Sequence, residues 1–284
     1  MKIKLCFILF LLTIIGASAQ IVPVGTANFR KIVEDRFRKV NATDFSSICP
    51  IDTDPAARTI FAEYGAIFVA DGVALPSKCI FDNESDVASF HTQVRSRTEL
   101  IAGVRITLQE SAMKSLLNAR KTALQKGLNI TPRGGALAGA RSYNDTVRLW
   151  NSRFYPALNY WVARGKIKRV EAEAARQASI KDQITKVLEW EKNGIFFSKD
   201  LSKSILYSVA APGASQHIFQ IAVDIKQFGN SVVREILAEN GWFQTVRSDL
   251  PHFTYLGHSE DKLSSLGLTD VSVGGQKFWI PNIK

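Results

Sequence analysis

The chain has 284 residues, 46% hydrophobic and 22% charged, with 36 basic against 26 acidic side chains and a formal net charge of +10. This is ordinary globular composition, which excludes a disordered or collagen-like chain and allows one large domain or two modest ones. Its positive balance favours an anionic partner.

In chain order, Lys2 and Lys4 precede a nearly unbroken apolar run from Leu5 to Ile15, followed by Ala17-Ser18-Ala19. That pattern reads as a secretory signal peptide over residues 1–19. The run spans about eleven residues against the roughly twenty that a membrane helix needs, and no later stretch is apolar for so long. The expectation is an exported chain with no transmembrane segment after signal removal. Loss of Lys2 and Lys4 takes the net charge from +10 to +8. For an exported protein this points to a cell wall, an acidic polysaccharide or a phospholipid face, and not to nucleic acid.

Cys6 leaves with the signal, so Cys49 and Cys79 remain to close a loop of about thirty residues as a disulfide. Residues 20–105 carry no interpretable chemical motif. An amphipathic helix is expected around Ala27 to Val40, and one or two strands over residues 60–82, rich in Ile, Phe and Val. From Asp86 to Leu128 the apolar spacing is helical, and Gly127 stops it. The segment NITPRGGALAGARSY reads as a strand and bend that deliver Arg141, with Asn144 and Asp145 able to cap the next helix. Thr146 to about Lys192 is helical, its Trp150, Phe154, Tyr160 and Trp161 at packing positions. The remainder alternates: APGASQHIFQIAVDI as turn and strand, SVVREILAENG as a helix closed by Gly241, and strand-like segments through DLPHFTYLG and KFWIPNI. The order is that of an α+β fold with helices packed on a small antiparallel sheet.

Chemistry concentrates late in the chain. His217 and Asp224 are separated by six residues, and His252 follows 28 residues after Asp224. Two imidazoles and one carboxylate are a set that a catalytic zinc uses, because three protein ligands leave the fourth tetrahedral position open. Asp249, three residues before His252 and stiffened by Pro251, is the candidate general base. Arg141 is the candidate cation opposite a developing oxyanion. The other two histidines, His91 and His258, have no partner at a telling spacing and read as surface or loop residues.

Taken together, GARSY, SQHIFQIAVDI and DLPHF resemble the three signatures of bacterial cell-wall zinc peptidases, the D-Ala-D-Ala carboxypeptidases and L-Ala-D-Glu endopeptidases. The resemblance covers roughly Leu108 to Gly257 and implies a zinc peptidase domain over residues 106–284 with a hedgehog/D,D-peptidase-like zinc site. It implies His217, Asp224 and His252 as zinc ligands and Asp249 as general base. It also implies Arg141, Ser142, Tyr143 and Ser215 as substrate-binding or supporting positions. Gln220 stands where the pattern S-x-H-x-x-G-x-A-x-D has Gly, and Thr146 where the family often has Gln. DLPHF looks like the endopeptidase branch, and the bond cut stays open between the two. The implied substrate is a peptidoglycan stem peptide and the implied location the bacterial envelope, secreted or periplasmic. An alternative on the same fold is a non-catalytic zinc protein that binds wall peptide, with Gln220 obstructing its cleft. Sequons begin at Asn41, Asn83, Asn129 and Asn144; they matter only in a eukaryotic secretory pathway, and the resemblance points to bacteria.

Overall fold

The computed structural model describes residues 28–41, 44–247 and 249–283. The expected signal peptide, with Lys2, Lys4 and Cys6, lies outside the described residues. The architecture is α+β, built from helices and three small antiparallel sheets where a single sheet was expected.

Helix α1, Phe29–Asn41, agrees with the amphipathic helix expected around Ala27 to Val40 and buries an i, i+4, i+8 stripe of Phe29, Val33 and Phe37. A short helix α2, Phe45–Ile48, leads to Cys49, which is disulfide-bonded to Cys79 with the Cα atoms 5.2 Å apart. The strands expected over residues 60–82 are instead helix α3, Pro55–Tyr64, and a 3-10 turn, Gly65–Val69. The reason is local: Asp54 accepts hydrogen bonds from the amides of Ala56 and Ala57, and Pro55 holds a helical φ at the first position. A β-branched, aromatic composition was outweighed by that cap.

Helix α4, Glu84–Gln93, is followed by a hairpin where continuous helix was expected: β1, Ser96–Ile101, against β2, Val104–Gln109. Ala102 and Gly103 make its two-residue turn at φ 51° and 81°, the geometry that suits the twist of paired strands. Ala at the first turn position hides the hairpin from a reading that looks for Asn-Gly. Helix α5, Glu110–Gln125, ends at Gly127, φ 70°, as expected.

Helix α6, Tyr143–Ala163, starts in a capping box: Ser142 Oγ accepts from the Asp145 amide and Asp145 accepts from the Ser142 amide. The cap is therefore Ser142 and not Asn144. Helices α7, Arg169–Gln177, and α8, Ile180–Lys192, pack with α6 around the fully buried Trp150 and Phe154. Strand β3 is confined to Ala222–Asp224, followed by α9, Ser231–Glu239, β4, Trp242–Phe243, and β5, His252–Tyr255. These strands form a three-stranded sheet in the order β3-β5-β4, and β6, Leu268–Val273, pairs with β7, Gln276–Pro281, in a last hairpin.

The region before residue 106 shares its core with the segment that carries the candidate ligands. Phe81 and Phe90 meet Phe219 edge-on at ring separations of 5.3 and 5.8 Å, in a cluster with Ile218, Ile221, Leu256 and Leu268. No helix among the described residues is long and apolar enough to cross a membrane.

Candidate metal centre

Register brings two of the candidate ligands together. In the antiparallel β3–β5 pair Asp224 stands directly opposite His252. His217 comes from a turn before β3, not from the strand the sequence suggested, and that turn is closed by Gln220 N–H donating to the His217 carbonyl. The same carbonyl accepts from the Arg141 amide at 3.3 Å, which ties the GARSY bend to the ligand turn.

The facing atoms are His217 Nε2, His252 Nδ1 and Asp224 Oδ1, at separations of 3.0, 3.4 and 3.4 Å. An ion bound tetrahedrally about 2.1 Å from each donor spaces its ligands about 3.4 Å apart, so this group can hold a metal ion. Each donor is also held from behind. His217 Nδ1 lies 2.8 Å from the Gly139 carbonyl, so Nδ1 carries the proton and Nε2 presents a lone pair. His252 Nε2 lies 2.8 Å from Gln216 Oε1, so its Nδ1 likewise presents a lone pair. Asp224 Oδ2 accepts from Arg141 Nη2 at 2.8 Å. Two imidazole lone pairs aimed at each other beside a carboxylate repel unless a cation sits between them.

Electrostatics agree with neutral imidazole. Burial, followed by the nearby Arg141 cation, pulls His217 from 6.5 down to about 4. Burial opposes the charge on Asp224, but the charge and hydrogen bonds of the His217 and His252 rings in their protonated forms outweigh it and hold the carboxyl below the ordinary carboxylate range.

The three ligands open onto a cleft of about 190 Å³ that Asp249, Arg141, Thr146 and Ser215 also line. Asp249 sits in the turn before β5, where the His252 amide donates to its carbonyl at 3.1 Å. Its carboxylate makes no hydrogen bond or ion pair with a described residue, and burial pushes its pKa up. Arg141 is engaged, with Nη2 on Asp224 and Nε donating to the Leu137 carbonyl at 2.8 Å. Its first task is to hold a ligand. Ser142 and Tyr143 are not brought to the cleft: Ser142 caps α6, and Tyr143 borders a separate cavity of about 550 Å³ beside Cys79 and Ile184. Thr146 is buried, its hydroxyl donating to the Tyr143 carbonyl.

Gln220 has φ 56°, which explains the pattern's Gly as a left-handed backbone requirement. Its side chain accepts from Ser96 Oγ on β1 and is not part of the cleft wall. His91 and His258 are structural: each ring lies within hydrogen-bond distance of a backbone carbonyl, Ile218 at 2.7 Å and Val69 at 2.9 Å.

Sequence reasoning missed Gln216, Gly139, Tyr64 and Arg153. Gln216 is fully buried; its Oε1 faces His252, Thr245 and Thr254, while its Nε2 donates to the Tyr64 carbonyl at 3.0 Å. Tyr64 and Arg153 line the cleft. The one available signal was Gln216, adjacent to His217 in an apolar segment where an amide must find partners.

No protein-family model matches the chain, and no curated protein matches it in sequence.

Proposed function

We propose that this chain is a secreted zinc metallopeptidase that hydrolyses peptidoglycan stem peptides in the bacterial envelope. The observation that carries the reading is the convergence of His217, Asp224 and His252, each oriented by an outer partner, on a cleft that the carboxylate of Asp249 also lines. Zinc suits two neutral imidazoles and one carboxylate at tetrahedral spacing, the ligand set that the motif resemblance implies for a hedgehog/D,D-peptidase-like site.

When bound, zinc supplies Lewis-acid polarisation of a peptide carbonyl and lowers the pKa of water. The chain's own residues do the rest. Asp249, with its carboxyl pushed up by burial, takes a proton from the attacking water and returns it to the leaving amine. Arg141 fixes Asp224 and places positive charge at the cleft wall. Gly139 and Gln216 hold the two imidazoles in the tautomers that leave lone pairs toward the ion. Gln220 does not obstruct the cleft, so the positioning favours the enzyme over the binding protein on the same fold.

The test is mass spectrometry of a synthetic pentapeptide stem and of whole peptidoglycan after incubation with the zinc-loaded mature protein, beside a chelated control. Zinc-dependent release of terminal D-Ala identifies a carboxypeptidase, and a break between L-Ala and D-Glu an endopeptidase. Unchanged substrates, or cleavage that survives chelation, overturn the reading.

A further inference from the structure

Among the described residues that line the metal cleft, one charge is used neither by the ligand set nor by the proton-transfer step. Arg153, on α6, lines the same cleft as His217 and Asp249. Its Nε donates to Ser208 Oγ at 3.0 Å, and its Nη1 donates to Ser152 Oγ at 2.9 Å. Both partners are neutral hydroxyls, and no carboxylate among the described residues forms an ion pair with it. Arg141, in contrast, is paired with Asp224 at 2.8 Å.

A guanidinium in a partly enclosed cleft loses hydration, and a neutral serine compensates only part of that loss. Its planar fork matches a carboxylate with two parallel N–H donors. The charge balance points the same way. Arg141 and Arg153 offset Asp224 and Asp249, so a divalent ion on the three ligands leaves the cleft positive overall. An anionic group on the substrate is then attracted, and Arg153 is the cation free to receive it.

We propose that Arg153, steadied by Ser208, is the subsite for a free carboxylate of the peptide substrate. This rests on the peptidase reading of the same cleft. The carboxylate has two possible sources, the C-terminus of the peptide or an acidic residue within it.

Two probe pairs separate the sources: D-Ala-D-Ala against its C-terminal amide, and acetyl-L-Ala-D-Glu-amide against acetyl-L-Ala-D-Gln-amide. Binding is titrated calorimetrically on the zinc-loaded Asp249→Ala protein, which the proposed chemistry leaves without a base, and on the same protein carrying Arg153→Ala or Arg153→Lys. In one pair the acid should bind at least about tenfold more tightly than the amide. Arg153→Ala should bring that ratio to about one at unchanged zinc content, and Arg153→Lys should keep part of it. A ratio that survives Arg153→Ala, a ratio near one in both pairs, or no binding up to millimolar peptide overturns the proposal. The two readings fail separately. An acid preference that depends on Arg153, with no cleavage by the unaltered protein, keeps the subsite and removes the peptidase; cleavage without acid preference does the reverse.

Discussion

On the proposed reading Asp249 and His217 have different roles within one cleft, and substitution separates them. Asp249→Ala should leave zinc bound and lower kcat by at least about a hundredfold, the usual scale for a general base, whereas His217→Ala should lose the metal. Zinc content by atomic absorption beside turnover of the stem peptide checks both. A wild-type rate from Asp249→Ala would remove the mechanism even with zinc in place. Gln216 acts at one remove. Its Oε1 fixes the His252 ring, so Gln216→Leu should weaken zinc affinity about 10- to 100-fold while preserving the fold, read by competition with a chelator of known affinity.

At the scale of elements, the ligand turn is held from behind by parts of the chain distant in sequence. Phe81 packs on Phe219, and its amide donates to the Gly213 carbonyl at 3.0 Å. Gly213 has φ 82°, and a Cβ there would lie 1.9 Å from the Phe81 carbonyl oxygen, so this approach is open only to glycine. The Cys49–Cys79 disulfide closes a 30-residue loop that ends two residues before Phe81. Replacing both cysteines by serine should cost about 3 to 4 kcal/mol on the loop-entropy model. Urea unfolding of the double variant against the oxidised parent measures it, and a loss below about 1 kcal/mol would mean that the unfolded chain already holds residues 49 and 79 close together without the bond.

For the molecule as a whole, the buried His217 of the candidate metal centre makes stability depend on pH. In the unfolded chain His217 takes up a proton near 6.5, but in the folded metal-free protein not until about 4. Between those values the unfolded state binds more protons, so the metal-free protein loses stability as pH falls through the window, by up to about 3 kcal/mol. Asp224, held below its ordinary range, acts in the same direction only in stronger acid. Urea midpoints in the presence of chelator should therefore fall between pH 7.5 and pH 5, and His217→Gln should flatten the slope. Zinc should raise the midpoint at neutral pH and lose that effect on acidification, because protons compete for the same lone pairs.

The sequence by itself determined the α+β class, helices α1, α5 and α9, the helical stretch that becomes α6 to α8, the disulfide partners, and the three residues His217, Asp224 and His252 that the fold brings together. These were legible because periodicity, capping and short spacings are local properties of the chain. Tertiary structure decided the rest. The hairpin at residues 96–109 depends on Ala102 accepting a left-handed backbone, and α3 on a cap that outweighs strand-like composition. Arg141 was visible as a residue, but its pairing with Asp224 arises across 83 positions. Gln216 reaches His252 across 36 positions and the Tyr64 carbonyl across 152, and His217 reaches the Gly139 carbonyl across 78. A buried donor takes whichever acceptor the packed chain brings within about 3 Å, and that proximity follows from long-range packing of apolar faces rather than from spacing along the sequence.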